Sequence, residues 1–307
     1  MPLDATEYFR RLHDRSLALV VDDAAALALA RRLGFQGEAF ATADFSSDEA
    51  NPALVVATKL TTVGALYDRW DSTARRFCHL SVARYDPGAE TLGYGLAQLL
   101  AVDGPAALAR RAAVYESLLS CDDLEIGSGA GVLRVRCAQE LEIANMSPEV
   151  RSGWLQSVTE FLEASMVNLE GECSSFSVDG VFAFAGLTYL YNTAEIRDAY
   201  RAPLESLMRR AARGHNRLEL VDNRIVRVQL GGEDATGAVL GLLGGKERGA
   251  AVTELGFGCA QWTPDWTRNA PLHKCSGVFV GVGMGGDLPH IDFISPGATV
   301  RYLARNR

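Results

Sequence analysis

The sharpest chemical signal in the chain is Pro289-His290-Ile291-Asp292. Alternate side chains of a strand leave from the same face, so an i, i+2 His/Asp pair projects together. A divalent cation would satisfy both groups by neutralising the carboxylate and using the imidazole lone pair, and an ordinary His–Asp hydrogen bond at a strand end would satisfy them too. Glu254 lies inside the apolar stretch AVTELGFG, where a lone carboxylate costs on the order of several kcal/mol unless paired or ligated. Glu172, in Glu170-Gly171-Glu172-Cys173, falls on a turn that suits a solvated carboxylate as well as a ligand. Three carboxylates and one histidine on separate segments match the donor set of a hydrolytic or oxygenase metal centre.

Other residues invite weaker readings. His273 sits in PLHKC, after a run containing Trp262, Pro264 and Trp266. Such aromatics can clamp a ligand or simply pack the base of their own loop. Cys173 and Cys259 neighbour the candidate ligands, but no base lies beside either. There is no nucleophile elbow, no P-loop and no GxGxxG after a strand. The six cysteines contain no CxxC, so free thiols are expected and a thiolate zinc knuckle is not.

The elements that must position these residues fall into two textures. At 307 residues and 48% apolar, the chain suits two domains, each able to bury its own core. Residues 1–121 read as an N-terminal α/β domain with a parallel sheet. It comprises a helix over 5–16, strands at 17–21, 38–45, 52–60 and 77–83, and helices at 24–33, 61–76, 89–101 and 105–120. Residues 122–307 read as an α+β domain, mainly antiparallel. Here DLEIGSG and GVLRVRCA form a hairpin, a helix runs from Ser147 to Ser165, and Asp222-Asn223 turns a second hairpin. A helix follows within 231–248, then strands at 252–259, 276–284 and 289–295. The net charge of −8 excludes a strong positive field for nucleic acid. With no apolar h-region near the start and no run approaching ~18 apolar residues, a cytoplasmic protein without a membrane span is expected.

The order NLEGEC, VDNRIVRVQLGGEDATG, TELGFG, SGVFVGVG, PHIDF resembles successive motifs of the M29 metalloaminopeptidases and the related 2,5-dihydroxypyridine dioxygenases. The resemblance covers most of residues 168–302, with PALVVATKLTTVGALYDRW looking like that superfamily's N-terminal α/β domain. It implies an M29-like fold, a homodimer, and metal ligands at Glu172, Glu254, His290 and Asp292. Two positions depart. Phe279 stands where the family strand has a ligating histidine, and the family's tyrosine would fall in Gly283-Met284-Gly285-Gly286, which has none. The chain is also similar to the peptide-binding proteins of crocagin biosynthesis.

Two functional expectations result. One is a peptide-binding or peptide-maturation protein of a ribosomal natural-product pathway, with one divalent metal (Zn or Fe) and a precursor or small peptide held by Trp262, Trp266, His273 and Phe279. The other is an active metalloenzyme, either an aminopeptidase or an Fe(II) ring-cleaving dioxygenase. A scaffolding subunit is a third class.

Overall fold

The structure is a computed structural model, and it describes residues 2–246, 248–283 and 287–304. The chain folds into two compact units, neither of them one continuous stretch. The first comprises 1–109, 147–162 and 270–272; the second comprises 110–146, 163–269 and 273–307.

In the first unit four short strands form a parallel sheet in the order Gln36–Ala39, Ala18–Val21, Ala53–Val56, Phe77–Leu80. The last three are buried at every position, as expected of strands covered on both faces. Helix Ala24–Arg32 starts where the Asp23 side chain accepts from the amides of Ala25 and Ala26. The expected strand over 38–45 is shorter and earlier: after Ala39 the chain enters a 3-10 turn, Phe40–Thr42. The connection from there to Ala53 contains no α-helix and is fastened by Arg75, a side chain only 2% exposed. Its guanidinium donates to the Asn51 carbonyl at 2.7 Å, the Asp44 carbonyl at 3.2 Å and the Glu38 carboxylate at 2.8 and 3.1 Å.

In the second unit two antiparallel sheets share one core. The seven-stranded sheet runs Glu233–Asp234, Arg224–Leu230, Asn216–Val221, Phe176–Phe184, Gly131–Cys137, Cys121–Ser128, Thr299–Ala304. The five-stranded sheet runs Gly186–Leu190, His290–Ser295, Val278–Val282, Val252–Gly258, Glu163–Val167. Leu133, Val135, Phe182 and Leu218 from the first meet Leu255, Phe257, Val280 and Phe293 from the second in one buried cluster. The second hairpin turns where expected, with Asp222 and Asn223 at φ +47° and +63°, the left-handed pair that such a tight turn requires.

Two expectations are corrected here. The helix from Ser147 to Ser165 does not form. Gly153 takes φ +68°, Ser157 caps only the 3-10 turn Val158–Phe161, and Glu163–Val167 is a strand. Pairing with Val252–Gly258 supplies that strand's hydrogen bonds, and this tertiary gain outweighs a local helical preference. Ala194–Ala211 is an 18-residue helix in a stretch to which no helix was assigned, capped by Thr193 and continuous through Pro203. The helix within 231–248 is confined to Thr236–Leu243.

Candidate metal centre

One face of the five-stranded sheet is the core face just described; the other carries the candidate site. Glu254 lies directly opposite Gly281, and Gly281 directly opposite Asp292, so the three form a row across adjacent strands. The empty middle position is what lets the outer two approach. A Cβ on Gly281 would lie 2.9 Å from Cε1 and Nε2 of His290 and 3.0 Å from Asp292 Oδ1. Two residues along, Gly256 faces Phe279, whose ring occupies the space a Cβ would take, 2.0 Å from Cζ. Ser165 and Glu163 on the neighbouring strand pair with Gly256 and Gly258. The pattern Glu254-x-Gly256-x-Gly258 is thus one carboxylate followed by two recesses, spaced by the period of the strand.

Within this row His290 Nε2 is 2.8 Å from Asp292 Oδ1 and 3.4 Å from Glu254 Oε2. His290 Nδ1 is 2.6 Å from the Gly283 carbonyl, which can only accept, so Nδ1 carries a proton. Nε2 therefore faces two carboxylates either as the second N–H of an imidazolium or as a lone pair offered to a cation. Burial works against the imidazolium, but Asp292 and Glu254 outweigh it and raise the His290 pKa to about 10. Burial likewise opposes ionised Glu254, yet Lys274, His290 and the Ser165 hydroxyl hold it at about 2.

Beside this trio lies a second ionic contact. Lys274 Nζ is 2.8 Å from Glu163 Oε1 and 3.8 Å from Glu254 Oε1, and it lies 5.1 Å from the centre of the Phe279 ring. Burial pushes the Glu163 carboxyl up to about 8 against the pull of Lys274, with Glu254 and Asp292 adding to the rise.

The donor set fits one divalent cation. Among the described residues, Glu254, His290 and Asp292 alone form a group of three ligand atoms within 4.8 Å of one another. Asp292 is fully buried, and its Oδ2 has no hydrogen-bond partner. Such an orphaned carboxylate oxygen asks for an explanation, and a bound ion provides one. One nitrogen and two carboxylates suit Zn²⁺ or Fe²⁺, with one histidine fewer than the two-histidine, one-carboxylate facial triad.

Glu172 is placed outside that group. It is paired with Arg224, its side chain is 38% exposed, and its backbone carbonyl accepts from the side-chain Nδ2 of Asn223. His273 is also outside it, fully buried and edge-on to Trp266 at 5.3 Å, with burial depressing its pKa to about 4. Trp266 covers Gly186, where a Cβ would lie 2.2 Å from its ring. Trp262 is half-buried, and its indole Nε1 lacks an acceptor. Phe279 is fully buried against Gly256 and Lys274. Of the stretch Gly283-Met284-Gly285-Gly286 in which the family's tyrosine would fall, positions 284–286 lie outside the described residues. All six cysteines are free.

Sequence reasoning missed Glu163 and Lys274. Glu163 falls within the expected 147–165 helix; its signal is a lone carboxylate ahead of the apolar run ASMV. Lys274 stands next to the His273 that drew attention instead.

An α/β unit with a four-stranded parallel sheet, followed by paired antiparallel sheets that carry a buried carboxylate–histidine cluster, defines the class of this protein. Within that class it belongs to the family described as crocagin biosynthetic protein CgnE/B, whose model matches residues 14–303. Of solved structures, wild-type AmpT from Thermus thermophilus superposes with a TM-score of 0.52 at 12% identity, over 97% of this chain and 96% of that one. A 2,5-dihydroxypyridine dioxygenase from Pseudomonas putida gives 0.49 at 14% identity, over 99% and 97%. No curated protein matches. The likeness to AmpT is one of fold, and it agrees with the superfamily resemblance read from the motifs.

Proposed function

We propose that this chain is a peptide-binding or peptide-maturation protein of a ribosomal natural-product pathway, with one divalent-metal position on an M29-like scaffold. Family membership supports the pathway. The observation that carries the rest is the Glu254–His290–Asp292 trio: it has donors for one ion, while the position the superfamily fills with a further histidine holds Phe279, which has no lone pair to give. A Zn²⁺ or Fe²⁺ ion held by these residues supplies positive charge to orient a carbonyl or carboxylate oxygen. His290 is kept in one tautomer by the Gly283 carbonyl, and beside the row the Phe279 ring fills the space over Gly256.

An extended peptide finds its support elsewhere in the second unit. Thr299–Ala304 ends the seven-stranded sheet and pairs with Cys121–Ser128 on one side only among the described residues. An exposed edge of that length accepts an added strand through main-chain hydrogen bonds. The working form is a cytoplasmic homodimer, which light scattering tests.

Elemental analysis, a peptidase assay with added Zn²⁺, Mn²⁺ and Co²⁺, and calorimetry against a candidate precursor peptide test the reading together. The expected result is at most one ion per chain, no release of N-terminal amino acids from short peptides, and binding of a longer peptide. Two ions with steady turnover would make the protein an aminopeptidase. One ion with oxygen-dependent ring cleavage would make it a dioxygenase.

A further inference from the structure

Glu254 divides its carboxylate between two cationic partners. Oε2 turns to His290 Nε2 at 3.4 Å, in the metal trio, whereas Oε1 turns to Lys274 Nζ at 3.8 Å. A carboxylate shared in this way bridges two cation positions. The second is completed by Glu163, whose Oε1 lies 2.8 Å from the same ammonium. Both flanking carboxylates and the lysine are nearly enclosed, with side chains 4%, 14% and 12% exposed for Glu163, Glu254 and Lys274. The floor of the second position is the Phe279 ring, 5.1 Å from Nζ. An aromatic face attracts an ammonium but has no lone pair for a metal ion.

The backbone brings the lysine there by construction. Lys274 lies on the 3-10 turn His273–Ser276, which presses against Gly258 so closely that a Cβ would sit 2.3 Å from the Cys275 carbonyl. Two main-chain bonds fix the approach: the Gly258 amide donates to the Gly277 carbonyl at 2.8 Å and the Ala260 amide to the Cys275 carbonyl at 2.9 Å.

We infer that Lys274 is a resident cation, its ammonium filling a second cation position between Glu163 and Glu254 and thereby limiting the site to one divalent ion. The inference rests on the one-metal reading above for the first position only. In the second position the chain brings its own positive charge, so the buried carboxylates are compensated whether or not metal is supplied.

The test is Zn²⁺ stoichiometry and affinity, by elemental analysis after equilibrium dialysis and by competition with a chromogenic chelator, on full-length protein. The native chain should bind one ion, Lys274→Ala two, and the double variant Lys274→Ala/Glu163→Gln one again. Lys274→Gln keeps a polar side chain one atom shorter and removes the charge, so it should bind a single ion at least tenfold more tightly than the native chain. It decides the matter if Lys274→Ala fails to fold. Two ions in the native protein, or one ion in Lys274→Ala with unchanged affinity in Lys274→Gln, would overturn the inference and leave the one-metal reading standing. No ion in the native chain but one or more in Lys274→Ala would uphold the inference and remove the one-metal reading. No ion in either would overturn both.

Discussion

At the scale of single residues the site depends as much on an absent side chain as on those present. Gly281 separates Glu254 from Asp292, and the His290 ring fills the space above it. Gly281→Ala should therefore push the imidazole out of line, weakening Zn²⁺ binding at least tenfold and costing about 1–3 kcal/mol of stability through overpacking. Chelator competition and urea denaturation measure the two effects, and unchanged affinity would mean that the row does not form the site. His290, Asp292 and Glu254 were legible beforehand because an i, i+2 pair and a carboxylate in an apolar run are anomalies that demand a partner. Glu163 and Lys274 were not. Each looks ordinary in its own segment, and their partnership is created by strand pairing and by a turn folded onto Gly258.

At the scale of elements, the strands around the site were legible because glycines punctuate their apolar runs, and 252–258, 278–282 and 290–295 stand within a residue or two of expectation. Glu163–Val167 was not, since five consecutively buried residues show no alternation to distinguish a strand from a helix. Helix Ala194–Ala211 was obscured by Pro203, which marks a break in most sequences. The connection 40–52 raises a different point, because beyond the 3-10 turn Phe40–Thr42 no regular element holds it and Arg75 does. Arg75→Met should destabilise the protein by about 2 kcal/mol through lost buried hydrogen bonds. It should also open this connection to cleavage after the exposed Glu49 by a glutamate-specific protease, read by mass spectrometry. Equal cleavage of both proteins would show that the guanidinium does not secure it.

At the scale of the whole molecule, acid should act through buried His79 of the parallel sheet. Burial, reinforced by nearby Arg84, depresses its pKa to about 3, and its Nδ1 lies 2.8 Å from the Ser81 hydroxyl. An unfolded histidine titrates near ~6.5, so between these values the unfolded chain binds the extra proton. The contribution is complete above the unfolded value and is lost as pH falls towards the folded one, amounting to about 2 kcal/mol by pH 5. Urea denaturation from pH 7 to 5 should show this loss in the native protein and a shallower slope in His79→Gln. Parallel slopes would refute the assignment.

The row Glu254–Gly281–Asp292 also bears on how the chain avoids misfolding. An apolar strand such as VFVGV carries little of its own to prevent it from sliding past its neighbours, and a slip of one residue reverses which face each side chain occupies. In the native register Glu254 and Asp292 leave from the face opposite Leu255 and Phe293, which lie in the shared core. A slipped strand would drive a carboxylate into that core without a partner. The same charges that make the cluster a binding site therefore act as alignment marks, and neutralising them should leave a sheet that pairs less selectively during folding.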